Sequence, residues 1–484
     1  MSIPIPSTTS SLLDGGIGIV PASLANTHFK VGTCSLGTAG SFYPFQGTDT
    51  NNVKTTLGKG PVVDATIDSL IKSGGKQCIV HVPAMVTTAG SSSAVTAAGT
   101  SPPAITLTGA PYNASVSKIR TVLAGARGTW QFQYSLDNGN NWSPTITSAA
   151  TYLDSNGVTI NIANTAATLD NTWTWTDTAP VMSSSDLSAA YDAIIASQYQ
   201  ARWVHVVGQP ADSATLLTIA TMADGKMVTA YAAKKPMWTL LEAPAVDGAL
   251  VVAAFNPAFA SDYVVIAGGF CDYTNTNGGT VDKVSVGRGM AGRIARTPLG
   301  VDHSRLTDDS DLSSMSGVVR LVPNGAAAST GYHDEYATPL FQAGRVSSEC
   351  TIPGVDGFFI TTMLTMAQST SDFQQLALLQ IALEAVALYN AWAAKYLNAR
   401  IRKQLATGFI QQAVADALDD QATAFILAGL KNENGDYAVD GLRTIINTAD
   451  NLSLDPTLRG KIRMIPPSFA RTISFDIGFT VALT

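Results

Sequence analysis

Apolar positions three and four residues apart first recur at Val63, Ile67, Leu70 and Ile71, and Gly74-Gly75 follows them at once. That spacing predicts a helix over 61–73 stopped by glycine. A short apolar run predicts a strand over 77–82. After a long interruption the same rhythm returns, with a helix over 186–198, a strand over 203–207, a helix near 211–224 and a strand over 237–241. Helices alternating with short apolar strands build crossover units, so the expected body is a mainly parallel α/β sheet.

The interruption, 86–180, has another period. A Ser-, Ala-, Gly- and Thr-rich stretch over 90–101 and Pro102-Pro103 read as a linker, and alternating strands follow, separated by Asn138-Gly139 and Asn156-Gly157. Trp130, Phe132 and Tyr134 share one strand face, and Trp173 and Trp175 share another. A sandwich-like all-β domain inserted into a loop of the α/β domain explains both the change of period and the later return of the crossover rhythm. The run SLDNGNNW, with Ser135, Asp137, Gly139 and Trp142, resembles an Asp-box hairpin that occurs once, and reads as a turn in which Asp137 caps its own backbone.

The C-terminal third opens with a strand region over 351–363, then a long helix from 372 to about 404 with Ser371 and Gln374 at capping-box spacing. Leu376, Leu379, Leu383 and Val386 form one apolar line and Leu378, Ile381, Ala385 and Leu388 a second, so this helix is expected to be buried on more than one side. Gln380, Glu384 and Asn390 within it argue against a membrane span. A second helix, about 408–430, carries Asp416, Asp419 and Asp420. The chain closes on Ile473, Phe475, Ile477, Phe479, Val481 and Leu483 at every second position, a period-two strand. The resulting division is an N-terminal arm (1–20), an α/β domain (21–85 and 181–280), the inserted β domain (86–180), an α+β C-terminal domain (281–471) and a terminal strand (472–484).

Composition changes this picture in one respect. Only 13% of the 484 residues are charged while 46% are apolar, against about 25% charged in ordinary soluble domains. So little charge on an apolar chain suggests that much of its surface is covered by other chains. The net charge is −7 with no block of like sign, which excludes a general electrostatic grip on nucleic acid or anionic lipid. Cys34, Cys78, Cys271 and Cys350 have no zinc or redox spacing and read as free thiols. The first cation is Lys30 and residues 1–10 alternate Ile with Pro, so no signal peptide is expected.

Candidate chemistry is sparse. Gly287, Gly289 and Gly292 in GRGMAG match a dinucleotide-binding pattern after a predicted strand over 282–286, but Pro298 leaves no room for a full crossover unit, and the run reads as a turn with close backbone packing. The rival reading of the whole chain is a doubly wound α/β enzyme with a nucleotide-type cofactor near Gly287–Gly292. His81 and His205, inside apolar strands, read as satisfied core residues. His333-Asp334-Glu335 and Asp308, Asp309 and Asp311 read as solvated loops. No catalytic residue, metal or cofactor is expected.

Residues 281–319, with Ala291, Gly292, Ala295, Arg296 and Thr297 entering a helix, resemble a segment of contractile phage tail sheath proteins. Further matches in kind are PGVDGFF at 353–359, Ser371-Asp372-Phe373 at the start of the long helix, and the closing IPPSFARTISFDIGFTVAL. The resemblance covers roughly the last 200 residues by pattern and the first half by organisation. It implies a structural, non-enzymatic virion protein, assembled in the host cytoplasm, that stacks as hexameric rings around a tail tube and contracts to drive the tube through the host envelope. The implied partners are further copies of the chain, the tube protein, and baseplate and tail terminator proteins, with neither nucleic acid nor membrane insertion. On this reading the arms, with Ile3 and Ile5 in one and Ile473, Phe475, Ile477, Phe479, Val481 and Leu483 in the other, link subunits by strand exchange. Arg400, Arg402 and Lys403, or Asp416, Asp419 and Asp420, are the candidates to face the tube.

Overall fold

A computed structural model describes residues 24–468, apart from 84–87, 209, 211, 245–247, 256–258, 275–280, 306–317, 323–340, 342, 353–354, 398, 405, 433–434 and 456. The arms, and with them Ile3, Ile5, Ile473, Phe475, Ile477, Phe479, Val481 and Leu483, lie outside the described residues. So do Asp308, Asp309, Asp311 and the 333–335 loop.

The chain enters a central sheet through β1 (His28–Val31) and the edge strand β2 (Phe42–Phe45), crosses through helices α1 (Thr50–Leu57) and α2 (Pro61–Lys72), and returns as β3 (Cys78–His81). Helix α2 starts where the sequence requires, with Pro61 in its first turn and Asp64 at the positive end of its dipole. The insertion then leaves through a narrow neck at which Thr88 and Val181 exchange both backbone hydrogen bonds, of 3.3 and 2.9 Å.

Within the insertion are β4 (Ser91–Ser92), β5 (Thr96–Ala98), β6 (Ile105–Thr108), β7 (Ser115–Leu123), β8 (Gln131–Ser135), β9 (Ile146–Thr147), β10 (Thr151–Leu153), β11 (Thr159–Ile162) and β12 (Thr172–Thr178). One sheet runs β4-β12-β7-β8-β9, with β5 also on β12; the other runs β10-β11-β6. Ile119, Trp130, Phe132, Ile160, Trp173 and Trp175 fill the space between them. The stretch expected to be a linker, 90–101, is instead β4 and β5, antiparallel to β12. Small polar side chains suit it because backbone ladders supply the bonds and only one edge needs covering. The 135–142 hairpin behaves as expected, with Asp137 accepting from the Asn141 N–H at 2.8 Å.

The chain rejoins the body through α3 (Ser184–Ala196), β13 (Trp203–Val206), α4 (Ser213–Ala232), β14 (Trp238–Glu242), α5 (Gly248–Phe255) and β15 (Val264–Ala267). A reciprocal Ser183–Asp186 capping box starts α3. The sheet order is β15-β14-β13-β1-β3-β2, parallel except for β2. Strands are added on one side of β1 and then on the other, so the order reverses between β1 and β13, as in flavodoxin-like sheets. Helices α3, α4 and α5 cover one face, and α1 and α2 cover part of the other.

The rest of that second face is covered by C-terminal elements. Strands β16 (Phe270–Thr274), β17 (Val281–Ser285) and β18 (Val318–Val322) form a three-stranded sheet, and α6 (Val286–Arg296) leaves directly from β17. Strands β19 (Glu349–Ile352) and β20 (Val355–Ile360) pair antiparallel and lead to α7 (Leu376–Ala394). Met290 and Ile294 of α6 and Leu376, Leu379 and Leu383 of α7 close over Trp203, Trp238 and Leu240. Helix α7 is shorter than the sequence predicts: it begins after Gln375 without a side-chain cap, Ser371 bonding Asp262 instead, and ends at Ala394. It is long and apolar enough to cross a membrane by composition, yet most of it is buried within the fold. Helix α8 (Gln412–Gly429) packs beside it, followed by the two-stranded sheet β21 (Gly441–Ile446) and β22 (Gly460–Ile465).

Candidate functional site

The residues with unusual chemistry gather on the sheet face under α2 and α6. Parallel register sets Lys30 of β1 against His205 of β13, and Glu242 follows at the end of β14. Lys30 Nζ donates to His205 Nδ1 at 2.8 Å, so the imidazole carries its proton on Nε2 and donates it to Glu242 Oε1 at 3.0 Å. The second Glu242 oxygen accepts the Gly208 N–H at 3.1 Å. Burial, with Lys30 nearby, holds the His205 pKa well below its ordinary value, so the ring is neutral. Burial also lowers Lys30 to about 8 and raises Glu242 to about 7.

Above this chain, Arg288 of α6 bonds Asp68 of α2 at 2.5 Å and lies over the Tyr273 ring. Burial opposes its charge, but Asp68 and Asp64 overcome that and hold its pKa above the ordinary arginine value. Lys72 also lies over the Tyr273 ring, 4.2 Å from its centroid. Glu349 at the start of β19 is fully buried and, among the described residues, neither of its oxygens has a hydrogen-bond partner; burial raises its pKa to about 8.

Gly287, Gly289 and Gly292 lie inside α6 and not in a turn. A Cβ on Gly287 would sit 3.0 Å from Glu242 Cγ and from Ala267 Cβ, and one on Gly292 would sit 3.0 Å from Lys72 Cβ. These two glycines therefore let α6 approach the sheet and α2 closely, which corrects the turn reading but keeps its physical reason. The same geometry weakens the nucleotide reading. In a doubly wound sheet an anion is received at helix N-termini beside the carboxyl ends of the strands. Here the chain's own Glu242 carboxylate takes the Gly208 N–H at that place.

His205 is fully satisfied, as expected of a core histidine, whereas His81 Nδ1 has no partner among the described residues and burial lowers the His81 pKa to about 4. Arg400, Arg402 and Lys403 are not on a helix: they lie in an irregular segment beyond α7, where Lys403 bridges to Ile410 and donates to Ser453 Oγ at 2.7 Å. Arg400 and Arg402 are exposed. Of the acidic set on α8, Asp416 and Asp420 are exposed, while Asp419 accepts the Ile446 N–H at 2.6 Å and so ties α8 to β21. The Lys30–His205–Glu242 chain escaped the sequence because its members lie 175 and 37 residues apart. The one available signal was the presence of three ionisable groups at the penultimate or last positions of apolar strand runs.

The architecture is that of contractile sheath subunits. The helical sheath of the anti-feeding prophage (AFP) in its contracted state aligns with a TM-score of 0.53 at 11% identity, covering 99% of this chain and 99% of that one. The contracted sheath of PVC, an extracellular contractile injection system, aligns with a TM-score of 0.53 at 9% identity over 99% of each chain. A sheath tail protein of Desulfitobacterium hafniense covers 96% of this chain and all of its own length at 12% identity, with a TM-score of 0.45. The chain belongs to the DUF2586 family, whose N-terminal domain matches residues 5–363. No curated protein matches it.

Proposed function

We propose that this protein is the subunit of a contractile tail sheath, polymerising as stacked hexameric rings around a tail tube and contracting to drive the tube through a host envelope. The observation that carries this reading is the shared fold along 99% of the chain with subunits of two contracted sheaths. A second feature agrees with it. Among the described residues β22 pairs only with β21, and most of its side chains are exposed. It therefore offers an open edge immediately before the alternating strand of 472–483, and an open edge is a template for strand addition from a neighbouring copy.

On this reading the N-terminal and C-terminal arms exchange between copies through Ile3, Ile5 and the alternating residues from Ile473 to Leu483. The exposed Arg400 and Arg402, or Asp416 and Asp420, form the polar contact with the tube. The ends of the polymer meet baseplate and terminator proteins, in a tail particle assembled in the host cytoplasm. Work without a nucleotide is then drawn from assembly, the extended polymer being held behind a barrier and released into a lower-energy packing.

Deleting 479–484 tests the exchange. The expected product unfolds cooperatively and stays monomeric at concentrations at which the full chain forms tubes of uniform diameter under negative stain. Loss of the cooperative transition would place the strand in its own subunit's core. Absence of tubes from the full chain would remove the sheath reading itself.

A further inference from the structure

A cavity of about 350 Å³ opens at the carboxyl ends of β13 and β14, beside the reversal of strand order. Its volume is in the range of small-molecule sites, and the position is the one at which open α/β sheets take ligands. Three groups of residues line it. Val206, Leu216, Ile219 and Leu241 supply apolar wall from the body. Asn113 and the stretch Thr178 to Met182 belong to the neck of the insertion. Asp64, Glu242 and Arg288 supply charge.

The charged groups are not equivalent. Arg288 is held by Asp68 through its 2.5 Å bond and by the field of Asp64, and Asp64 accepts from Asn113 at 3.1 Å. Glu242, by contrast, is buried and bonded to two neutral donors, the His205 ring and the Gly208 N–H. Lys30 hydrogen-bonds His205 and acts on Glu242 through its field. A buried carboxylate with no cation in contact among the described residues, at the edge of a mostly apolar cavity, is complementary to a positive group carried on an apolar body.

We propose that this cavity binds a small organic cation, a primary ammonium on a compact apolar body, with the ammonium on Glu242 and the body against Val206, Leu216, Ile219 and Leu241. The ligand touches both the sheet and the insertion neck, so its binding stiffens the junction between the two domains. It does not depend on the sheath reading.

Proton linkage makes the site distinctive. The groups facing Glu242 are Lys30 of β1, His205 of β13 and Arg288 of α6, with Asp64 and Asp68 of α2 behind the arginine and the buried Cys78 thiol of β3 beside Lys30. Glu242 titrates near 7. Below that pH the ammonium displaces the carboxyl proton to solvent, one proton out for one cation in, and above it no proton moves. Affinity therefore rises about tenfold between pH 6 and 8.

Calorimetry on the full chain with benzylammonium as probe, in two buffers of different ionisation heat, tests this. Saturable binding is expected, with release of close to one proton at pH 6, almost none at pH 8.5, and no comparable binding of benzyl alcohol or benzoate. Glu242→Gln should abolish the proton release and weaken binding at least tenfold. Leu216→Trp, which fills the cavity from its apolar wall, should abolish binding while circular dichroism stays unchanged. Absence of saturable benzylammonium binding, equal binding of benzyl alcohol, or full affinity in a folded Leu216→Trp protein would each overturn the assignment.

Discussion

The imidazole of His28 lies flat on the indole of Trp203, with 4.3 Å between ring centroids and 10° between planes. Trp203 stacks in turn on Trp238 at 5.2 Å and 12°. The three residues open three adjacent parallel strands in strict register, His28 opposite Trp203 and Trp203 opposite Trp238. Helices α6 and α7 cover the indoles, so the stack anchors the C-terminal elements to the body.

Trp238→Ala should therefore cost about 3–5 kcal/mol, the usual penalty for emptying a buried aromatic site. Urea unfolding followed by fluorescence and by circular dichroism measures it. A change below about 1 kcal/mol would mean that the stack is not part of the cooperative core.

A second joint between body and C-terminal region is the ion pair of Arg202, just before β13, with Glu384 of α7, at 2.6 Å and almost wholly buried. Removing one partner strands a buried charge, so Glu384→Ala should destabilise by about 3–5 kcal/mol. The double variant Arg202→Met with Glu384→Leu should recover most of that loss. A double variant as unstable as the single one would show that packing, and not charge, sets the cost.

Glu349 gives a pH dependence. Its pKa, raised by burial from 4.5 to about 8, means that the folded chain keeps a proton which the unfolded chain loses. Its stabilising contribution is complete below 4.5 and falls away as pH rises through 8. Lys72, lowered to about 8, acts oppositely and only at higher pH, where the unfolded chain is the better proton binder. Glu349→Gln, neutral at every pH, should flatten the falling limb between pH 5 and 8 and raise stability at pH 8 by a few kcal/mol, on the order of 1–3. Thermal unfolding across that range reads the slope; an unchanged slope would assign it elsewhere.

The insertion should be dispensable for assembly. Thr88 and Val181 already hold the neck closed, so replacing 90–179 with a short Gly-Ser linker leaves the sheet order intact. Negative-stain microscopy of the shortened protein should show tubes of the same kind as the full chain. A folded monomer that forms none would give the insertion a role between subunits.

The body was legible because its cues are local. Val63, Ile67 and Leu70 name the buried face of α2, and the Trp203 and Trp238 strands read as continuous apolar runs because both sides of the sheet are covered. The end of α7 was not legible, since Leu397 continues the apolar spacing three residues past Ala394 but is exposed. Strands β4 and β5 were hidden for the opposite reason: Ser91, Ser92 and Thr96–Ala98 bury little and are held by backbone bonds to β12. The Lys30–His205–Glu242 chain belongs to register between distant strands, which no window along one sequence contains.

The paired neck also sets how the molecule bears load. A pull between the inserted β domain and the body runs along both legs of the neck together, and the polar contacts across that junction are few and separate: the Thr88–Val181 pair, the Asn113–Asp64 bond and the Lys59 contact with the Ser155 carbonyl. Strands β1, β3, β13, β14 and β15 run side by side, and a pull along them must break a whole ladder at once. The junction is thus expected to part before the sheet does, leaving the strands that carry the rest of the molecule paired. In a force-extension trace with handles on the insertion and the body, this would register as a small early step well below the main unfolding peak.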